Sequence, residues 1–181
     1  MKESIAEYGI LGVVSKEPMS GYDINKRVRT RMGAFWGISY GQIYPTLRML
    51  EKDGYITKKV VINENRPNRK VYSITDKGIE KLQEWLLKPA EPESVRIEAL
   101  LKVAFGEHVP KNAIIKHIEE FKIRNVSKLE KAILLEKELK TQLKKNEKYF
   151  YSLLTVLLGK NMHKASIEWA DNAMKLISEQ I

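Results

Sequence analysis

The chain has 181 residues, a hydrophobic content of 43%, no cysteine and a net charge of +9. This length allows one domain or two small ones with a real core. The lack of cysteine excludes disulfides, thiolate chemistry and cysteine-based zinc sites.

The basic charge is concentrated in one part of the chain. Residues 16–70 hold twelve Lys and Arg against five Asp and Glu, whereas residues 91–181 hold sixteen against thirteen. A local basic excess favours a polyanionic partner. The N-terminus lacks the apolar core of a signal peptide, and the apolar stretch over 153–158 is too short to cross a bilayer. We therefore expect a cytoplasmic protein with no membrane partner.

The first two helices are predicted over residues 4–15 and 20–31. The first is apolar almost all round, which predicts burial. Ser20 and Asp23 form a capping box at the start of the second, with Ile24 and Val28 facing inward. The segment 32–38 reads as a turn with two aromatic anchors, Phe35 and Trp36.

A third helix is predicted from Ser39, which forms a capping box with Gln42, to Gly54, which ends it. Its inner face carries Ile43, Leu47 and Leu50 at helical spacing. The opposite face has two cations, a proline, a glycine and a tyrosine hydroxyl, with no carboxylate: Gly41, Tyr44, Pro45, Arg48 and Lys52. A helix of this kind suits DNA reading, and the alternative is a surface helix with solvated cations.

Pro45 is unusual at this place because proline inside a helix loses one hydrogen bond and costs about 3 kcal/mol. Either the helix effectively starts near Pro45, or the glycine opposite, Gly41, relieves the clash. The sequence leaves both alternatives open.

Two strands follow, over 56–62 and 69–74, joined by a polar loop that spans residues 63–68. The loop and its flanks carry Arg66, Arg69 and Lys70. Basic residues at a hairpin tip also protect a sheet edge, but together with a basic helix they favour DNA contact. Thr75 caps a fourth helix with Ile79, Leu82 and Leu86 inward. Three helices followed by a basic hairpin predict a winged helix-turn-helix.

The segment 88–94 is a linker with two prolines, so we predict a winged helix-turn-helix DNA-binding domain over 1–88 and a helical domain over 89–181. The fold class is mainly α, with a coiled-coil-like second half. Its helices are predicted from Ser94 to Phe105, from Pro110 for roughly thirty-five residues, over 149–158 with Gly159 as stop, and from Met162. The last helix is apolar on two sides, which indicates a subunit interface.

Five short motifs follow one another in the first half of the chain, at residues 8–11 (YGIL), 20–24 (SGYDI), 41–47 (GQIYPTL), 50–56 (LEKDGYI) and 72–78 (YSITDKG). In these motifs the chain resembles the PadR family of bacterial transcriptional regulators. The resemblance implies a homodimeric repressor or activator that reads double-stranded DNA, dimerises through its C-terminal helices and often responds to a small aromatic or cationic effector.

The residues and the resemblance together give a set of DNA-contact candidates. Arg48 and Lys52 supply phosphate charge, and Arg48 can also pair with a guanine. Tyr44 has an alternative role as a ring packed on the preceding helix, and packing is about as good an explanation for Tyr22. The whole set is Tyr22, Lys26, Ser39, Gln42, Tyr44, Pro45, Thr46, Arg48, Lys52, Arg66, Arg69 and Lys70.

Other functions receive less support from the sequence. Phe35, Trp36 and Trp169 could line an effector pocket, although tryptophans are more often core residues. The three histidines have no ligand spacing, so we expect no metal and no cofactor. We expect no catalysis either, and the rival function is a winged-helix protein-interaction module that docks a partner through its helical tail.

Overall fold

The computed structural model describes residues 5–32, 35–62 and 68–179. The chain divides into two compact units, Met1–Pro92 and Glu93–Ile181. The fold is mainly helical with one small sheet, as the sequence predicted. Within the described ranges, no helix has the length and apolar character that a membrane span needs.

The first unit contains four helices, which are α1 (Ile5–Val14), α2 (Gly21–Arg31), α3 (Tyr40–Lys52) and α4 (Asp76–Leu86). The N-caps predicted for α2 and α4 are confirmed, because Ser20 Oγ accepts a hydrogen bond from the Asp23 amide and Thr75 Oγ accepts one from the Gly78 amide. In place of the reciprocal bond of a capping box, Asp23 Oδ2 accepts a hydrogen bond from the Ser20 hydroxyl. Each cap satisfies an amide that the first helical turn leaves without a partner. Helix α3 ends at Lys52. Asp53 is its C-cap residue, and Gly54, the predicted stop, follows with a φ of 77°.

The sheet of the first unit has three strands instead of the predicted two. Strands β1 (Met19–Ser20), β2 (Ile56–Val61) and β3 (Arg69–Ile74) pair antiparallel in the order β1-β3-β2. The sequence missed β1 because a two-residue strand has no periodicity and looks like a connector. Residues 63–67, which include Arg66, lie outside the described residues.

One core joins the helices and the sheet of the first unit. Ile10, Leu11, Ile24, Leu47 and Ile56 are among its fully buried side chains. Helix α4 packs on this core through Leu82 and Trp85. The predicted inward position of Leu82 is thus confirmed, whereas that of Ile79 and Leu86 is wrong, since they are 38% and 64% exposed.

Three helices build the second unit, α5 (Glu98–Ala104), α6 (Lys111–Leu143) and α7 (Phe150–Glu179). Short 3-10 turns lie at 106–108 and 147–149. Helix α5 begins after Ile97, so the predicted cap at Ser94 is wrong. Helix α7 runs unbroken through Gly159, where the sequence predicted a stop. Gly54 is the one described glycine with positive φ, and Gly159 stays in the helical conformation and is buried.

The interface of α6 and α7 contains two polar layers. Asn125 Oδ1 lies 2.9 Å from His163 Nδ1, and Lys160 Nζ donates to Glu136 Oε2 at 2.6 Å. Hydrogen bonds from Lys140 and Lys160 lower the pKa of Glu136 to about 2. Burial, with a smaller contribution from Lys128, lowers the pKa of His163. These layers place two polar residues of α6, Asn125 and Glu136, among its buried side chains.

Candidate DNA-binding surface

Helix α3 is anchored by its apolar face and leaves the opposite face open. Ile43, Leu47 and Leu50 are fully buried, which confirms the predicted inner face. The exposed side chains on the other face include both predicted cations, Arg48 and Lys52. A core-anchored helix can therefore present these cations at a defined position.

The polar side chains at the start of α3 also stabilise the helix itself. Gln42 Oε1 accepts hydrogen bonds from the Ser39 amide at 3.0 Å and the Ser39 hydroxyl at 2.9 Å. The Thr46 hydroxyl donates to the Gln42 carbonyl at 2.7 Å. These predicted contact residues thus serve the helix first, and any DNA contact uses their remaining polar atoms.

Helix α3 already begins at Tyr40, so Pro45 lies inside it. The alternative that the helix starts near Pro45 is therefore wrong. The carbonyl of Gly41 has no proline N–H to bind, and Gly41 is exposed. Water or a ligand can supply the missing hydrogen bond there.

Two tyrosines meet near the first turn of α3. The rings of Tyr40 and Tyr44 pack edge to face with their centroids 5.5 Å apart. A hydrogen bond to Tyr40, together with burial, raises the pKa of the Tyr44 hydroxyl. Tyr44 is half-buried, whereas Tyr40 is 60% exposed. Tyr40 was not among the predicted contact residues, although its position directly after the cap residue Ser39 was an available signal.

The hairpin of β2 and β3, which we call the wing, is connected to α3 by an ion pair that was not predicted. Lys58 of β2 pairs with Glu51 of α3 at 2.7 Å, and Glu51 raises the pKa of Lys58. Glu51 is the one acidic residue of α3, and the ion pair with Lys58 compensates its negative charge. In the register of the sheet, Lys58 lies opposite Tyr72 and Val60 opposite Lys70. Alternate residues share a face, so Lys58 and Lys70 lie on the face that α3 contacts.

Arg69 is exposed, but it is not free. Its Nη2 lies 2.9 Å from Asp23 Oδ2 and donates to Ser20 Oγ at 3.3 Å. The contact joins the first residue of β3 to the start of α2. By the alternation of the strand, Arg69 points to the face opposite Lys70.

Helix α2 contributes two accessible side chains at its outer surface. Tyr22 is 65% exposed, so the alternative that it is a packing residue is wrong within the first unit. Lys26 is exposed one turn further along. The predicted surface therefore contains parts of α2, α3 and the wing, and its contacts with DNA stay predictions.

The three aromatic residues predicted for an effector pocket have different surroundings. Phe35 and Trp36 are 48% and 36% exposed in the first unit. Trp169, in the second unit, packs edge to face on Phe121 with a centroid distance of 5.7 Å. It also lines an open groove of about 360 Å³ on α7. In the described ranges, no cluster of His, Asp and Glu has a composition that could hold a metal.

Helix α7 also has a stripe of apolar side chains, most of which are exposed in the part of the chain that the structure describes. The stripe repeats at intervals of three, four and seven residues, which is the spacing of a helix seam. Its members are Tyr151, Leu154, Leu158, Met162, Trp169 and Leu176. Tyr151, Leu158 and Leu176 are 75%, 59% and 62% exposed. We call these six residues the α7 stripe.

Comparisons with known proteins give consistent matches along the chain. The model of the transcriptional regulator PadR-like family matches residues 10–84, and that of the virulence activator alpha C-terminal domain matches residues 95–178. The negative transcriptional regulator PadR of Bacillus subtilis is 37% identical over 102 residues, or 56% of each chain. The chain thus spans about half the length of the curated relatives that it matches.

Solved structures match over nearly the full length. A PadR-like transcriptional regulator from Bacillus cereus is 26% identical, with a TM-score of 0.83 and coverage of 97% of this chain and 99% of that one. Bacillus subtilis PadR in complex with operator DNA is 26% identical, with a TM-score of 0.84 and coverage of 98% and 99%. The structure of the same protein in complex with p-coumaric acid is 26% identical, with a TM-score of 0.68 and coverage of 97% of this chain and 99% of that one.

Proposed function

The chain belongs to the PadR-like family of transcriptional regulators, and on this premise we propose that it is a homodimeric, sequence-specific DNA-binding repressor. Each α3 reads one half-site of a palindromic operator, and each wing contacts the flanking backbone. The observation that carries the proposal is the open face of α3, where Arg48 and Lys52 are exposed and Lys58 of the wing compensates the charge of Glu51. The proposal assigns no catalysis and places the chain in the cytoplasm, where promoters are accessible.

The relatives support both DNA as the partner and repression as the effect on transcription. Bacillus subtilis PadR is a negative regulator whose structure has been solved with operator DNA and with p-coumaric acid. We therefore propose release from DNA by a small aromatic or cationic compound. In the second unit, Trp169 in the groove of α7 is the residue that we assign to this compound. Phe35 and Trp36, in the first unit, are separate candidates for it.

The α7 stripe supports the homodimer. Soluble monomers seldom expose a continuous apolar patch of this length, and such patches mark interaction sites. A second copy presents the same stripe, so the contact can close with two-fold symmetry. Two-fold symmetry also matches the palindromic operator in the proposal.

Two substitutions separate base reading from charge. Arg48→Ala should weaken operator binding by about 1–3 kcal/mol and reduce discrimination against altered half-sites, since arginine pairs with a guanine edge. Lys70→Ala should weaken binding to every duplex and reduce the salt slope by about one ion. Fluorescence anisotropy across a salt series, with the DNA upstream of the gene for this chain and a scrambled duplex, measures both effects.

Lys175→Ala on α7 is the control because Lys175 is an exposed cation outside the proposed surface. It should bind as the wild type does. If Arg48→Ala lowered affinity equally for both duplexes, α3 would contribute charge alone and would not read bases.

The rival function is a winged-helix module that binds a protein through its helical second unit. It predicts a monomer in isolation and a stable complex with a different chain. The exposed Lys52 of α3 and Lys70 of the wing argue against protein docking at this surface, because protein interfaces are depleted in lysine.

A further inference from the structure

Gly21 and Tyr44 form a close contact between α2 and α3. Gly21 is the first residue of α2 and is buried. A Cβ atom built on it would lie 2.8 Å from Tyr44 Cε1 and 3.4 Å from both Cζ and the hydroxyl oxygen. The three nearest atoms thus all belong to the side chain of Tyr44. The ring of Tyr44 lies directly on the glycine backbone.

This contact determines where the Tyr44 hydroxyl can be. The ring is half-buried and packs against the core of the first unit. Its hydroxyl is held beside the exposed Tyr40, at the open end of α3. A ring held on both sides loses little further freedom when it binds, which favours affinity.

We propose that Gly21 is a positioning residue that seats Tyr44 for DNA contact. This inference rests on the proposed function, because it assigns Tyr44 a contact with the operator. It also explains how Tyr44 can be both a packed ring and a DNA ligand, two roles that are alternatives on the sequence alone.

A side chain at position 21 should displace the ring without unfolding the protein. Gly21 has no positive φ, so an L-residue fits its backbone conformation. The group in its way is the far part of a flexible side chain and not a backbone atom. Tyr44 therefore moves, and the helix stays.

The test compares Gly21→Ala, Tyr44→Ala and the double variant in anisotropy titrations with the upstream DNA and a scrambled duplex. We expect Gly21→Ala to bind the upstream DNA about tenfold more weakly, as for the loss of one hydrogen-bonded contact. In the Tyr44→Ala background the same change should have no further effect. Gly12→Ala is the matched control, because its Cβ would meet open space.

A second readout needs no DNA. In chains labelled with ¹³Cζ-tyrosine, with Tyr44→Phe for assignment, Gly21→Ala should lower the pKa of Tyr44 toward its ordinary value as the hydrogen bond to Tyr40 is lost. An unchanged Tyr44 titration would overturn the inference, and so would an equal loss of affinity in the Tyr44→Ala background. If the wild type bound no upstream DNA while the titration shifted, the proposed function would fail and with it the DNA role of the contact.

Discussion

Leu158→Lys should convert the protein to a monomer and weaken operator binding by about a hundredfold or more. Leu158 lies in the middle of the α7 stripe and is 59% exposed within its own chain. A lysine there costs the single chain little, whereas the proposed dimer would bury two unpaired ammonium groups. Losing the second reading helix removes the gain from simultaneous binding, which reaches 10²–10⁴.

Sedimentation velocity at micromolar concentration measures the first effect, and anisotropy with the upstream DNA measures the second. Lys164→Glu is the matched control, since it changes charge on an exposed position of the same helix outside the stripe. We expect it to remain a dimer. A dimeric Leu158→Lys variant with normal affinity would show that the α7 stripe is not the contact between copies.

Gly78→Ala should have the largest effect on stability and lower the free energy of unfolding of the first unit by about 3 kcal/mol. A Cβ at position 78 would lie 2.1 Å from the Tyr55 carbonyl oxygen and 2.8 Å from Ile74 Cγ1. The carbonyl is a backbone atom between α3 and β2 and cannot rotate away as a side chain can. Helix α4 would have to move off the core.

Urea denaturation followed by tryptophan fluorescence checks this expectation, because Trp85 stacks on Tyr8 with a centroid distance of 4.6 Å. Gly12→Ala, also helical and with open space at its Cβ, serves as the comparison. Its midpoint should be unchanged or slightly higher. Equal midpoints for Gly78→Ala and the wild type would mean that α4 is not packed as described.

Local signals predicted most of the first unit. Caps, helical spacing and strand alternation are properties of neighbouring residues, and they located α2, α3, α4 and the two long strands. The collision at Gly78 has no such signal, because the atom in its way belongs to Tyr55, far away in the chain. At Gly159 the local signal gave a wrong prediction, because a glycine does not always end a helix. Gly159 is buried inside α7 and keeps the helical conformation.

Local signals also predicted the candidate DNA-binding surface only in part. The open face of α3 follows from periodicity alone, so Arg48 and Lys52 were identified from the sequence. The ion pairs of Glu51 with Lys58 and of Arg69 with Asp23 depend on strand register and on packing, which local sequence patterns do not reveal. In α6, Asn125 and Glu136 are buried through partners on α7, and a search for apolar stripes passes over them.

Titration of the wild-type chain against the upstream DNA and a scrambled duplex, at low and at physiological salt, tests the proposed function most directly. We expect one dimer per site, a steep loss of affinity with salt and tighter binding to the upstream DNA by at least about 10³. Equal affinity for both duplexes, or no binding at low salt, would contradict sequence-specific DNA binding by this chain.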